Sequence, residues 1–257
     1  MPRRSDAVDW AGWLERWDRQ QTGYMPYREH RFTTMLDVVA ALQPSNLRVL
    51  DLACGPGSLS ARLLTRFPRA RAVALDFDPV LIELGRHALH RFRHRMRWVE
   101  ADLRQPGWVR NLPAGRFDAV MTTTALHWLG ARDLRRVYRQ LHGIIRPSGV
   151  VLNGDHMAFN EAAPTFRRLA RRLDHQRTAE GFADTRAEHW DEWWRRLEQE
   201  RTLRGEFAER RRRFPCAHHA EENFPLGLHE RALRSAGFRE VGVIWQEVDN
   251  RILLAIR

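Results

Sequence analysis

The chain has 257 residues, 43% of them apolar and 29% charged, and carries a formal net charge of +11. That length supports one sizeable core, or a core with a small lid, and no apolar run approaches a membrane span. The two cysteines, Cys54 and Cys216, cannot build a framework of several disulfides.

The first residues contain no continuous apolar core of signal-peptide type, so a cytoplasmic protein with reduced thiols and no membrane partner is expected. All 43 residues counted as lysine plus arginine are arginine. A basic chain can attract nucleic acid, but here the arginines are spread over many helical segments. FRRLARRL (166–173) sets Phe166, Leu169, Ala170 and Leu173 on one face and arginines on the other, as in a solvated amphipathic helix. Only ERRRRF (209–214) is a dense cluster, and nucleic acid is not the expected partner.

Residues 1–45 read as a helical region broken by a proline at Tyr24–Tyr27. From 47 to 155 short apolar runs alternate with helical patterns. Strands are expected at 48–53, 71–77, 96–101, 117–123 and 149–155, with helices at 58–67, 79–92 and 131–145. This alternation implies an α/β fold with a parallel sheet covered on both faces, and the strands read as nearly continuous apolar runs. Residues 157 to about 225 show no convincing strand. They hold arginine-rich helices and the aromatic stretch EHWDEWW (188–194). A helix at 226–236 stops at Gly237. Strands at 240–248 and 250–257 then flank Asp249-Asn250, which has turn chemistry and implies a hairpin. The expected units are 1–45, a core at 46–156, an inserted helical lid at 157–225, and a helix and hairpin at 226–257 that complete the core.

The stretch VLDLACGPGSLS (49–60) passes from strand to helix through a glycine turn. Ligands of open parallel sheets bind beyond the carboxyl ends of the strands. Gly55 and Gly57 let a ligand approach the backbone, and Ser58 is expected to cap the following helix. The spacing is not G-x-G-x-x-G, since residue 60 is serine. The pattern D-x-A-x-G-x-G resembles motif I of the class I S-adenosylmethionine-dependent methyltransferases, with Ala53 in place of the first glycine. Four further stretches resemble that family's motifs in order: RAVALDFDP, VEADL, FDAVMTTTALHWL and IIRPSGVVLNGD. The resemblance implies a Rossmann-like, mostly parallel seven-stranded sheet with an antiparallel C-terminal hairpin strand and a helical lid after strand five. It implies S-adenosyl-L-methionine as cofactor and S-adenosyl-L-homocysteine as product. Asp51, Ala53, Gly55 and Gly57 would form the cofactor turn, and Asp76 with Phe77 would meet the ribose. Ala101, Asp102 and Leu103 would meet the adenine, Thr122 and Thr123 the methionine part, and Tyr24 would close over the cofactor.

The acceptor is less determined. Enzymes that methylate base amines carry (D/N/S)-P-P-(Y/F) after the fourth strand, whereas this chain has T-T-T-A-L-H-W. The A-L-H-W stretch resembles small-molecule enzymes such as the trans-aconitate methyltransferase group. Transfer to an oxygen, nitrogen or carboxylate of a small metabolite is the leading expectation. An RNA or protein methyltransferase, or a non-methylating protein that keeps the cofactor site, stands as the alternative. His127 is the first candidate for a general base and His156 the second, because both follow strand ends at the rim. His127 can equally be a packed structural residue. Tyr27, Trp128, Trp190 and Trp194 are candidates for the acceptor wall, although Trp190, Trp193 and Trp194 share a helical face and are expected first of all to pack the lid. Cys216, His218, His219 and Glu221 lack metal-ligand spacing, and no metal is expected. The oligomeric state is not readable.

Overall fold

The structure, a computed structural model, describes residues 8–214 and 223–257. Two helices, α1 (Trp10–Tyr24) and α2 (Arg28–Leu42), precede the first strand. The core then alternates: β1 (Arg48–Leu52), α3 (Ser58–Arg66), β2 (Arg71–Asp76), α4 (Pro79–Ala88), β3 (Met96–Glu100), β4 (Phe117–Thr123), α5 (Ala131–Ile144) and β5 (Ile145–His156). Three lid helices follow, α6 (Pro164–Thr185), α7 (Trp190–Leu197) and α8 (Arg204–Arg213). Helix α9 (Leu226–Ser235), β6 (Glu240–Glu247) and β7 (Asn250–Ile256) close the fold.

The seven strands lie in the order β3-β2-β1-β4-β5-β7-β6. Strands β1 to β5 are parallel, with β3 at one edge, and β7 is antiparallel to both of its neighbours. The strand order reverses between β1 and β4, where a parallel sheet opens a crevice at its carboxyl edge. The hairpin differs from its expected form by one residue. Val248 and Asp249 make the turn, with Val248 at φ +60°, while Asn250 already pairs with His156 in β7. Asn250 is held in the strand because its Oδ1 accepts from buried Arg31 at 2.9 Å.

Apolar residues of both sheet faces are sequestered. On one face Leu134, Val137, Tyr138 and Leu141 of α5 join Leu50, Leu52 and Leu233. On the other, Phe32, Met35 and Val39 of α2 join Leu63, Leu64, Val49 and Met121. A third cluster docks the lid: Trp193, Trp194 and Leu197 of α7 and Phe207 of α8 pack with Trp13 and Trp17 of α1 and Leu81 and Leu84 of α4. The tryptophans at 193 and 194 thus pack the lid, and Trp194 lies beneath the Arg210 guanidinium at 3.7 Å. That leaves no open face on Trp194 for an acceptor wall. Trp190 is half-buried beside Trp17 and Trp194. Among the described residues no helix is long and apolar enough to cross a membrane.

The tightest joint runs beneath the glycine turn. A Cβ on Gly85 of α4 would overlap the Trp98 ring and stand 2.6 Å from the Pro56 carbonyl oxygen. Gly85→Ala should therefore destabilise the fold by about 1–3 kcal/mol, the usual range for overpacking. Gly143→Ala in α5, where an added Cβ meets nothing within 4 Å, should instead stabilise by about 0.5–1 kcal/mol. Urea denaturation of the two variants checks both signs, and equal effects would refute this account of the joint.

Candidate active site

Three residues between β1 and α3 adopt left-handed backbone: Ala53 (φ +54°), Gly55 (φ +54°) and Gly57 (φ +84°). Ala53 holds that conformation at a cost of roughly 1–2 kcal/mol, which a glycine would avoid. Gly57, rather than Ser58, is the cap of α3. The Ser58 hydroxyl donates instead to Asp18 of α1 at 2.5 Å, which ties the N-terminal helix over the turn. The Trp17 ring lies 3.6 Å from where a Gly55 Cβ would stand.

The carboxylates at the strand ends are engaged by the protein itself. Asp51 is fully buried, and its Oδ2 accepts the Ser60 N–H at 3.0 Å and the Ser60 hydroxyl at 2.7 Å. Burial raises its pKa to about 6, the Ser60 bonds oppose this, and the neighbouring Asp76 adds to it. Asp76 accepts the Gly55 N–H at 2.7 Å on Oδ2, and those of Phe77 and Asp78 at 2.7 and 2.9 Å on Oδ1. A carboxylate has about four acceptor sites, so roughly one is left for a ribose. Burial lifts Asp76 to about 6 against the pull of those N–H groups. Asp78 is the cap of α4 and pairs with Arg210 at 2.6 Å. Asp102 accepts the Arg104 N–H at 2.8 Å and its Nε at 2.9 Å. Its flanking residues Ala101 and Leu103 are buried. Arg104 and Arg213 lie over the Phe77 ring at 5.2 and 5.0 Å. Arg213 also bonds the Phe77 carbonyl at 2.8 Å and Glu100 at 2.6 Å. Helix α8 is thereby clamped over the β2–β3 side, a role that the arginine cluster in the sequence does not announce.

Beyond the strand reversal the chemistry changes. Thr122 is fully buried, and Thr123 and Thr124 end β4 with their hydroxyls against Arg31. The turn after them places His127 Nδ1 2.8 Å from Asp155 Oδ1. Both are buried, and Asp155 also accepts the His156 N–H at 2.9 Å. Burial alone would raise the Asp155 pKa, but His127, Arg31 and His156 hold it down at about 2. His156 Nδ1 lies 3.3 Å from Asp249. Burial lowers its pKa, yet Asp249, Asp155 and Asp174 together raise it above the usual histidine value. Trp128 is 42% exposed beside His127. Near His156 a shallow cleft is lined among others by Tyr24, Met25, Tyr27, Asp174, Arg177, Glu247, Asp249 and Asn250. The Tyr24 hydroxyl accepts the Trp190 N–H at 3.2 Å, and Tyr24 packs on Phe182. It thus tethers lid helix α7 as well as lining the cleft. Asp155, Arg31, Thr124 and Asn250 were not expected. Asp155 had a signal, an acid at a strand tip like the other three, whereas Arg31 is one arginine among many.

A profile described as "Methyltransferase domain" matches residues 49–149. A trans-aconitate 2-methyltransferase of Azoarcus sp. strain BH72 is 32% identical over 136 residues, 52% of this chain and 49% of that one. Residues 49–149 thus match a methyltransferase domain, and over about half its length the chain is similar to methyltransferases. An uncharacterised methyltransferase of Mycobacterium tuberculosis strain H37Rv is 39% identical over 104 residues, 40% of this chain and 47% of that one. The matches span about half the length of these relatives. Among solved structures, an O-methyltransferase family protein of Burkholderia thailandensis has a TM-score of 0.57 at 23% identity, covering 88% of this chain and 55% of that one. Human N-acetylserotonin methyltransferase in complex with S-adenosylmethionine has a TM-score of 0.52 at 15% identity, covering 98% and 68%. At these identities the two structures share the fold.

The residues at these strand ends fit the cofactor of the methyltransferases that the chain resembles. Gln20 Nε2, Asp51 Oδ1 and Thr122 Oγ1 are buried without hydrogen-bond partners, and native proteins rarely leave such atoms unsatisfied without a ligand or water to meet them. Gln20 is one turn along α1 from Trp17, the residue over the glycine turn. Among the described residues no group of three or more histidines, cysteines and acids gathers to hold a metal. Cys216, His218, His219 and Glu221 lie outside the described residues.

Asp51 and Asp76 titrate near 6 in the folded chain, against about 3.9 unfolded. The folded state therefore binds more protons between those values, and their contribution to stability falls as pH rises from about 4 to 6. Asp155 acts oppositely, its contribution fully present above about pH 4 and lost as pH falls toward 2. Asp51→Asn, which cannot ionise, should flatten the fall between pH 4 and 6 in thermal melts of the cofactor-free protein. An unchanged slope would refute the assignment to Asp51.

Proposed function

We propose that this chain transfers the methyl group of S-adenosyl-L-methionine to an oxygen or nitrogen of a small metabolite in the cytoplasm, with His127 as general base. The observation that carries the reading is the bond between His127 and buried Asp155 at the β4 and β5 tips. When bound, the cofactor supplies a methyl group made electrophilic by its sulfonium. On the protein's side, the turn at Gly55 and Gly57 bares backbone to it, and Asp76 offers a remaining acceptor site to the ribose. Asp102 and Leu103 border the adenine side, and Gln20 and Thr122 offer unsatisfied polar atoms. Helices α1, α7 and α8, bound together by the tryptophan cluster, exclude water from the transfer.

Asp155 fixes the imidazole orientation by holding the Nδ1 proton, which puts the ring's lone pair on Nε2. A proton leaving a hydroxyl or ammonium acceptor passes to Nε2, and ionised Asp155 stabilises the imidazolium that results. An acceptor that is itself a carboxylate needs no base, so the pair favours a nucleophile that must lose a proton. A site that only stored the cofactor would have no use for a buried ionised carboxylate behind that histidine. The arginine charge supports a small-molecule acceptor over RNA, because much of it is met internally. Arg16 pairs with Glu188, Arg62 with Asp18 and Glu29, Arg66 with Asp37, and Arg213 with Glu100 and Glu209.

His127→Ala should lower the rate of S-adenosylhomocysteine formation by about 100- to 10,000-fold, the usual worth of general base catalysis. Cofactor affinity by calorimetry should stay within about threefold, given that His127 sits away from the glycine turn. Asp155→Asn should lower the rate while changing the acidic limb of the rate–pH profile. Full turnover in His127→Ala would exclude it as the base.

A further inference from the structure

Arg31, in the first turn of α2, is completely buried. Its stem lies across Gly154 of β5, where an added Cβ would stand 3.0 Å from Arg31 Cδ and 3.2 Å from Nε. Its head donates to Asn250 Oδ1 at 2.9 Å, Thr123 Oγ1 and Thr124 Oγ1 at 2.5 Å, and Met25 Sδ at 3.2 Å. All four partners are neutral, and Nε has none. Among the described residues no carboxylate oxygen lies within ion-pair distance of this guanidinium. Arg28, one turn earlier on the same helix, is almost as buried but pairs with Asp18 at 2.9 Å. Burial pulls the Arg31 pKa down to about 10, with Asp155 opposing at longer range, so the group stays charged at neutral pH.

A guanidinium whose hydrogen bonds all go to neutral groups, with Asp155 only at longer range, can accept a further anion, because charge removed from water is stabilised by pairing. Its position says which anion. The head reaches β4 on one side of β5 and β7 on the other, beside His127 and Asp155. The glycine turn and Asp76 stand at β1 and β2, across β4 from it. The cleft is lined by Met25 and Asn250, two of the groups that now hold the head, together with His156 and Arg177, which pair with Asp249 and Glu247 of the same lining, and with Asp174. Thr123 and Thr124 hydroxyls can turn to donate to an incoming carboxylate, which a guanidinium fork meets with two parallel bonds.

We propose that Arg31 receives a carboxylate of the methyl acceptor, so that the acceptor is a small organic acid bearing the hydroxyl or amine to be methylated. This rests on the proposed methyl transfer. The carboxylate takes the place of the threonine and methionine contacts, and the nucleophile is thereby directed to His127. Gly154 is the opening through which the arginine stem crosses the sheet edge.

The test uses the full-length protein with S-adenosylmethionine and a panel of short hydroxy- and amino-carboxylic acids, each paired with its neutral amide. S-adenosylhomocysteine formation should be at least about 100-fold faster, as kcat/KM, for the best acid than for its amide. In Arg31→Gln that preference should fall below about tenfold, while S-adenosylhomocysteine affinity stays within about threefold. Loss of S-adenosylhomocysteine affinity by tenfold or more would assign the guanidinium to the cofactor's carboxylate and overturn the proposal. Turnover of amides as fast as acids would overturn it while leaving methyl transfer intact. Absence of turnover with every acid and amide would overturn the proposal and count against the methyl-transfer reading as well. Should Arg31→Gln not fold, the wild-type protein still decides the matter. Acids, and not their amides, should raise its melting temperature in the presence of S-adenosylhomocysteine, and equal shifts would refute the idea.

Discussion

A carboxylate taken out of water must be protonated or partnered, and three strand tips in this protein each bury one. Asp51 ends β1, Asp76 ends β2 and Asp155 stands at the end of β5. The first two are met by neutral donors, the Ser60 N–H and hydroxyl and the N–H groups of Gly55, Phe77 and Asp78. Neutral donors do not fully offset burial, so both acids are drawn upward. Asp155 is met by His127, with Arg31 and His156 beside it, and is drawn downward. The same burial therefore yields two electrostatic halves along one sheet edge. One is a set of acceptors near neutrality suited to a nucleoside, and the other a fixed anion behind an imidazole.

The division follows the topology. Strand order reverses between β1 and β4, so loops on the two sides leave the sheet in different directions and meet different covering helices. On the β1–β3 side, α1 and α8 close over the turn through Asp18–Ser58, Asp78–Arg210 and Glu100–Arg213. On the β4–β7 side, the bend between α1 and α2 supplies Met25, Tyr27 and Arg31. Helix α1 thus borders both halves, with Trp17 above Gly55 and Tyr24 tethered to lid helix α7. Its tryptophan packing against α7 makes lid position and turn coverage parts of one arrangement.

The half around β1 to β3 was legible in the sequence as backbone because strand, turn and acid recur there at fixed places. Strand periodicity located every strand to within about a residue except the start of β5, which begins at Ile145 instead of 149. The glycine turn and the acids after β2 and β3 were readable for the same reason. Ser58 was misread as a cap because its hydroxyl is claimed by Asp18, a residue 40 positions away. Three of the acceptor sites on Asp76 are taken by the N–H groups of Gly55, Phe77 and Asp78, which the sequence does not announce. Local pattern specifies backbone, and it does not report which side-chain atoms the tertiary fold consumes.

The grouping at the tips of β4, β5 and β7 was hidden for a related reason. Arg31, Gly154, Thr124 and Asn250 come from four separate segments, and none has a periodicity that marks it. Arginine in particular carries little information in a chain that has 43 of them and no lysine. Only the fold separates the arginines by what they meet. Arg16, Arg62, Arg210 and Arg213 meet carboxylates and hold helices together. Arg31 meets hydroxyls, an amide and a thioether at the sheet edge, with a glycine beneath it. Structural arginines gain stability by pairing with acids, and a buried one with an acid only at longer range is costly to keep. That cost is understandable at a site where an outside anion completes the pair.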